Sequence, residues 1–243
     1  LHTVSAPKTI ERIVDAFPAH HLRAKQHGEH IGVIGHIEYL PELLTTPFMR
    51  YIGGDGMQFA FGAIEDPEHV SNRFVYAPNF SVHRKTLVRC GMFDENMRYG
   101  YQDVELGLRL SLNDVRLIYE KAALVEHDHP IDLRSFMARQ RSVSVGLLYL
   151  EQKYPQSEVL GFVEELLQKR GPFLSSLKKL VAQVRSIERK IGRREVPTQV
   201  MDKLVHLYET ILEIALVGGV VEHAEAHASE RIKQVIAQQR ARW

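Results

Sequence analysis

One acidic segment in the middle of the chain has residue types that could do chemistry. Gly91-Met92-Phe93-Asp94-Glu95 is followed by Gly100-Tyr101-Gln102-Asp103-Val104-Glu105, so a glycine-containing turn leads into a run that is acidic first and then apolar. The pattern predicts a helix from about residue 103. A carboxylate at such a loop-to-helix junction can face a cleft while its backbone stays anchored, and it can take a proton from a reacting hydroxyl group. The segment favours an enzyme.

Asp103 also has a purely structural interpretation. A helix N-cap requires only a short side chain that accepts a hydrogen bond. The helix that follows should place Glu105 and Arg109 four residues apart, where they can pair. Gly107 has no side chain and therefore permits close packing, although it costs about 1 kcal/mol of helix propensity relative to alanine. Asn113-Asp114 should end the helix.

The elements around this segment predict two regions of different character. Short apolar runs alternate with helical patterns up to about residue 146, which indicates an α/β layer structure. The predicted strands are 31–37, 73–76, 115–119 and 122–126, and the predicted helices 41–51, 84–90 and 103–112. From residue 131 onward, strand patterns stop and apolar residues recur at helical spacing. We therefore expect one domain at 1–146 and an α-helical extension at 147–243.

Composition excludes several classes of protein. The 243 residues carry a net charge of +1, so no overall field favours nucleic acid or an anionic membrane. The single cysteine, Cys90, lies between apolar residues and is expected to be a buried packing residue of a protein in a reducing, cytoplasmic compartment. No membrane span is expected, because the longest apolar candidate, 211–221, is interrupted by Glu213 and by Gly218-Gly219.

Most of the histidines give a weak signal. His20, His21, His27 and His30 cluster on one segment, but no cysteine accompanies them and their spacing is not that of a tetrahedral site. A solvent-exposed helix is therefore preferred to a metal site there. His127 and His129 follow a predicted strand, and their spacing of two would place both on one face.

Four segments, in order, resemble the acceptor-side half of the family 2 glycosyltransferases, which have the GT-A fold. The resemblance covers about residues 16–146 and not the helical tail. It implies a partial GT-A-like mixed sheet with flanking helices, followed by an all-α C-terminal region. The four segments are Asn79-Phe80-Ser81-Val82-His83-Arg84, Gly91-Met92-Phe93-Asp94-Glu95, Gln102-Asp103-Val104-Glu105-Leu106-Gly107-Leu108-Arg109-Leu110 and Val125-Glu126-His127-Asp128-His129.

The resemblance implies roles for individual residues. Asp103 would be the base of an inverting transfer, which requires a carboxylate that is neither tied up by its own main-chain amides nor turned into the interior. Gln102 stands where the family often has glutamate, a change that removes a charge and leaves the base intact. Asn79, Arg84 and Gln102 would contact substrate, although Asn79 after Pro78 is also a good turn residue.

A divalent metal, Mn²⁺ or Mg²⁺, is the cofactor that the resemblance implies, and only together with the donor diphosphate. His127 would be a ligand, since imidazole can join carboxylate and phosphate oxygens around Mn²⁺. The alternative is that His127 and His129 hydrogen-bond loop backbone. The acidic metal motif of the family's nucleotide-binding half is not recognised in the sequence.

The resulting hypothesis is a metal-assisted, inverting glycosyltransferase in polysaccharide biosynthesis. Its partners would be a nucleotide-sugar donor and a glycan or lipid-linked acceptor, with the helical tail available for packing, oligomerisation or docking. Arg139-Gln140-Arg141 matches the motif of processive synthases only in part, which favours transfer of single sugars. The alternative is a non-catalytic binding or scaffold module derived from the GT-A fold, or an inactive fragment of a larger enzyme.

Overall fold

The chain forms two compact units. In this computed structural model, residues 3–4, 7–26, 28–54, 58–97, 99–192 and 196–240 are described, with side chains at all of these positions except 3–4, 7–16 and 160. The first unit comprises residues 1–96 and 102–130, and the second comprises residues 97–101 and 131–243. The predicted boundary at residue 146 falls inside a helix, and the division at residue 130 coincides with the end of the sheet region instead.

The first unit is a mixed α/β layer. Its helices are α1 (Pro7–Gln26), α2 (Pro47–Gly53), α3 (Arg84–Arg89) and α4 (Gln102–Leu112), and its strands are β1 (Thr3–Val4), β2 (His30–Tyr39), β3 (Phe80–Val82) and β4 (Val115–His127). Short 3₁₀ turns at Pro41–Leu43, Phe61–Ala63, Asn72–Phe74 and Ala77–Asn79 connect them. The predicted α/β character is confirmed, and the part of the chain that the structure describes gives no further ground for the finer GT-A assignment.

Three longer strands form the sheet, with the two-residue β1 at one edge. The strand order is β1-β4-β2-β3, with β2 and β4 parallel and the other two pairs antiparallel. The register between β2 and β4 shifts in the middle: Gly35 pairs with Glu120, whereas His36 pairs with Leu124. The intervening residues 121–123 therefore form a bulge in β4, which leaves backbone groups that need other partners.

Both faces of the sheet are covered, which explains the nearly continuous burial of β2. On one face, Phe17 and Ala24 of α1 pack with Ile31, Val33 and Ile118. On the other face, α4 and the preceding loops pack against the sheet; the buried residues of this cluster are Ile34, Val70, Phe74, Val75, Cys90, Leu106, Leu110, Val115 and Leu117. The buried packing role predicted for Cys90 is confirmed.

Several predicted elements differ from those observed. Residues 73–76 form no strand, since a 3₁₀ turn occupies Asn72–Phe74. The two strands predicted at 115–119 and 122–126 are one bulged strand, β4, which continues through Glu120 and Lys121. The helix predicted from 41 to 51 is a 3₁₀ turn followed by α2, whose N-cap is Thr46.

Helices are the regular elements of the second unit over the residues that the structure describes, as predicted for the C-terminal region. It contains α5 (Leu133–Lys153), α6 (Glu158–Arg170), a 3₁₀ segment at Gly171–Ser176, α7 (Leu177–Ile191), α8 (Thr198–His227) and α9 (Glu230–Arg240). Buried leucine, isoleucine and valine side chains from α5, α6, α8 and α9 form its core. Gly219 lets α5 approach closely, because a Cβ there would lie 2.3 Å from the Arg141 carbonyl oxygen.

Helix α8 is the one described helix that is long and apolar enough, by composition, to cross a membrane. Two glycines predicted to interrupt it, Gly218 and Gly219, lie within the helix instead. In its most apolar window, 67% of the residues are buried within the protein. Burial of that kind is typical of a helix at the centre of a bundle, so a membrane span is not shown.

Candidate functional site

The Asp103 side chain lies where the sequence predicts, in the first turn of α4. It is half-buried. One carboxylate oxygen accepts a hydrogen bond from the Val104 amide at 3.0 Å, and the other from the Ala77 amide at 3.4 Å. These two amides orient the carboxylate at the start of the helix. The positive end of the helix dipole favours the ionised form.

The backbone just before α4 has an unusual conformation. Gly100 has φ 76° and Tyr101 has φ 63°. A left-handed residue is ordinary for glycine but uncommon for tyrosine. The chain therefore turns sharply before Gln102 and enters α4 from a constrained direction, which fixes the backbone position of Asp103.

A buried ion pair holds the turn that precedes this segment. Glu105 is fully buried, and Arg109 donates to both of its carboxylate oxygens, with the shortest contact 2.7 Å. The same guanidinium donates to the carbonyl oxygens of Cys90 and Met92. The predicted pairing of Glu105 with Arg109 is confirmed, and the pair joins α4 to the Gly91 turn.

Asn79 has a structural role that the sequence did not reveal. It is buried, and its side-chain nitrogen donates to the carbonyl oxygens of His36 at 2.8 Å and Ala123 at 2.7 Å. The His36 carbonyl belongs to β2 at the register shift, and the Ala123 carbonyl belongs to the bulge itself. The two hydrogens of one amide nitrogen can serve both carbonyls. The geometry accounts for asparagine at this position without a substrate.

Arg84 and Gln102 are more accessible than Asn79. Arg84 is the first residue of α3 and is exposed, while Gln102 is the first residue of α4 and is half-buried. Within the described residues neither side chain has a hydrogen-bond partner in the protein. Both remain available to contact a ligand, and their predicted substrate contacts stay predictions.

His127 ends strand β4 and is fully buried. Its ring meets Tyr39 edge-on at 4.8 Å and Phe59 at 5.7 Å, and the ring of His129 is 5.7 Å away. The two imidazoles are therefore neighbours, as their spacing predicted. Aromatic rings enclose the His127 imidazole, and its role as a metal ligand stays a prediction.

A cluster of aromatic rings connects the Asp103 and His127 regions of the first unit. Phe59 contacts His127 on one side and Tyr76 on the other, at a ring distance of 5.2 Å. The Tyr76 hydroxyl donates to the Phe59 carbonyl at 2.8 Å. Burial raises the pKa of Tyr76, and the negative charge of Asp103 raises it further. Sequence reasoning missed this cluster, although Phe59, Phe61 and Tyr76 lie close together in the chain.

No group of three or more His, Cys, Asp or Glu side chains within the described part of the chain could hold a metal ion. The residues described here therefore do not make a complete metal site. Two of the N-terminal histidines are half-buried and have partners: His20 lies 2.7 Å from Glu120, and His21 lies 3.1 Å from the Ser81 hydroxyl. His30 is exposed and lies 2.9 Å from Arg89. His27 lies outside the described residues.

Comparison with known proteins identifies relatives that share part of the chain. An uncharacterized glycosyltransferase of Bacillus subtilis, YfnE, is 26% identical over 149 residues, which cover 60% of this chain and 34% of the relative. A pre-mycofactocin glycosyltransferase of Mycobacterium tuberculosis is 41% identical over 96 residues, which cover 39% of this chain and 20% of the relative. The similarity is to glycosyltransferases.

Both relatives are named as glycosyltransferases, and this chain is similar to a part of each. The chain spans about a third of one relative and a fifth of the other. No protein-family model matches the sequence. No solved structure matches it either.

Proposed function

We propose that the chain is the acceptor-side part of an inverting glycosyltransferase of family 2 with a GT-A fold. It would transfer a sugar from a nucleotide-sugar donor to a hydroxyl group of a glycan or lipid-linked acceptor, in the cytoplasm. The observation that carries the proposal is the position of Asp103, a half-buried carboxylate in the first turn of α4. Similarity to two glycosyltransferases supports the reaction class.

Asp103 would act as the general base. An acceptor hydroxyl becomes a competent nucleophile as it loses its proton, and a carboxylate within hydrogen-bond reach can take that proton. The contacts with Ala77 and Val104 orient the carboxylate, so little reorganisation is needed when the acceptor binds. Arg109 and Glu105 position the Gly91 turn beside the same helix.

The divalent metal stays a proposal for which this chain offers one candidate ligand among the described residues. His127 is the candidate, but its ring is enclosed by Tyr39 and Phe59. A metal site would therefore need a rotation of His127 and further ligands beyond the described residues. When bound, the ion would neutralise charge on the departing diphosphate.

The test measures the rate of sugar transfer by the purified full-length protein. Asp103→Asn keeps one acceptor oxygen for the backbone amides and removes the base. We expect transfer to fall by about 10²–10⁴-fold, the usual contribution of a general base. Donor affinity, measured by calorimetry, should change little.

The matched control is Asp114→Asn, which makes the same change at the other end of α4. Asp114 is exposed and has φ 58°, a conformation that asparagine also tolerates. This variant should transfer sugar at the normal rate. If Asp103→Asn retains full turnover, or if it loses activity only in proportion to a loss of thermal stability, Asp103 is not the base.

A second candidate function is a non-catalytic binding module. Two observations favour it: the described residues contain no three-ligand metal cluster, and both Asp103 oxygens contact backbone amides. Calorimetry with nucleotide sugars and Mn²⁺ separates the candidates. Metal-dependent donor binding supports the enzyme, whereas no binding together with no transfer supports the module.

A further inference from the structure

Helix α7 of the second unit carries a concentration of positive charge that the balanced composition of the whole chain conceals. Its fifteen residues include five basic side chains and one acidic side chain. The acidic residue, Glu188, accepts a hydrogen bond from the Tyr208 hydroxyl at 2.6 Å and so points toward α8. The carboxylate of Glu188 therefore does not offset the positive charge on the exposed surface of α7.

Three of these cations form a single row. Lys178, Arg185 and Arg189 are spaced by seven and four residues, which brings them to the same side of a helix. The rise of the helix separates them by about 10 Å and about 6 Å along the axis. All three are exposed, and none of them forms an ion pair with a carboxylate of the described residues.

A groove runs beside this row. Its volume is about 460 Å³, and it is open to solvent; the residues that line it are Met137, Leu177, Lys178, Val181, Ala182, Arg185 and Arg189. Met137 comes from α5, and every other lining residue comes from α7. Its lining thus combines apolar side chains with three cations and includes no acidic residue. Phe173, just before α7, is also exposed.

We propose that this groove docks the second unit onto an anionic lipid surface. A surface that combines accessible apolar side chains with lysine or arginine is typical of segments that bind at the membrane interface. Clusters of basic residues on such helices bind anionic headgroups through their charge. The row of cations would meet lipid phosphates while Met137, Val181 and Phe173 contact acyl chains near the headgroups.

A lipid surface fits the groove better than an acidic peptide does. The lining offers charge and apolar area, but within the described residues no asparagine, glutamine, serine or threonine side chain lines it that could recognise a particular peptide sequence. The three cations lie along one side of α7 beside the apolar lining, so headgroup phosphates can contact them together. The proposal is independent of the base assignment for Asp103.

The experiment is co-sedimentation of the purified chain with vesicles. We expect binding to vesicles of equimolar phosphatidylcholine and phosphatidylglycerol, weak binding to phosphatidylcholine alone, and a decline as salt screens the charges. Each cation near an anionic surface strengthens binding by about fivefold. The triple variant K178A/R185A/R189A should therefore bind the anionic vesicles about a hundredfold more weakly.

The matched control is K179A/K190A/K203A, which removes the same charge from exposed positions of the same unit that do not line the groove. It should lose much less binding than the first variant. Equal losses in both would show attraction by net charge alone and overturn the proposal. Two other outcomes would also overturn the proposal if vesicles do not bind. One is binding of an acidic amphipathic peptide that depends on the three cations, and the other is self-association, seen by light scattering, that depends on them.

Discussion

Removing the Arg109 guanidinium should reveal how much the buried ion pair contributes to the first unit. Arg109→Met keeps much of the side-chain volume but leaves the fully buried Glu105 carboxylate without its main partner. It also removes the donor that holds the carbonyl oxygens of Cys90 and Met92. The Gly91 turn should consequently loosen from α4.

The expected cost follows from these contacts. Breaking a buried ion pair by removing one partner costs about 3–5 kcal/mol, and the Arg109 side chain is 16% exposed, so water moderates the loss toward about 3 kcal/mol. The double variant Glu105→Leu with Arg109→Met removes the buried carboxylate as well. It should cost only about 1–2 kcal/mol, the worth of the lost hydrogen bonds to the turn.

Hydrogen exchange of the backbone amides in α4 and β4 is the assay of choice. It reports the opening free energy of the first unit even if the two units unfold separately. A double-mutant cycle then isolates the coupling between Glu105 and Arg109. A cost below about 1 kcal/mol for Arg109→Met, or a double variant as unstable as the single one, would refute this account of the pair.

Two further predictions concern glycine packing and pH. Gly107→Ala should destabilise the first unit by about 1–3 kcal/mol, because the added Cβ would lie 2.7 Å from the Asn72 carbonyl oxygen. Gly161→Ala is the control: a Cβ there would meet nothing within 4 Å, so the change should stabilise α6 by about 1 kcal/mol. Similar shifts in melting temperature for the two variants would contradict the packing argument. Burial lowers the pKa of His36, whose ring nitrogen pairs with the Tyr119 hydroxyl at 2.6 Å. The unfolded state therefore binds more protons than the folded state, so the free energy of unfolding should fall as pH drops below 6.5. His36→Gln should make the free energy of unfolding depend less on pH, as measured by urea titrations at several pH values.

Local patterns predicted the parts of the fold that depend on local physics. The spacing of Glu105 and Arg109, the close packing at Gly107 and the helical extension follow from periodicities along a single element. Strand β2 was predictable because sheets covered on both faces require continuous apolar runs. The position of Asp103 followed from the acidic start of an apolar helix.

Features that depend on contacts between distant segments were not predictable in the same way. The bulge in β4 arises from its register with β2, and the strand continues through it. The enclosure of His127 depends on Tyr39 and Phe59, which are far from it in the chain. Nor could the sequence show that α7 presents three of its cations beside a groove formed with α5.

The amide of Asn79 has a consequence for how related sequences should be compared. Its nitrogen serves two carbonyl groups at the β4 bulge, and Gly35 makes room for it, since a Cβ at that glycine would lie 2.3 Å from the same nitrogen. Aspartate at position 79 would place a carboxylate oxygen against the carbonyl oxygens of His36 and Ala123, and a longer side chain would not fit the space. Selection should therefore retain this asparagine in any descendant that folds, including those that have lost activity, so its presence is no marker of a working enzyme.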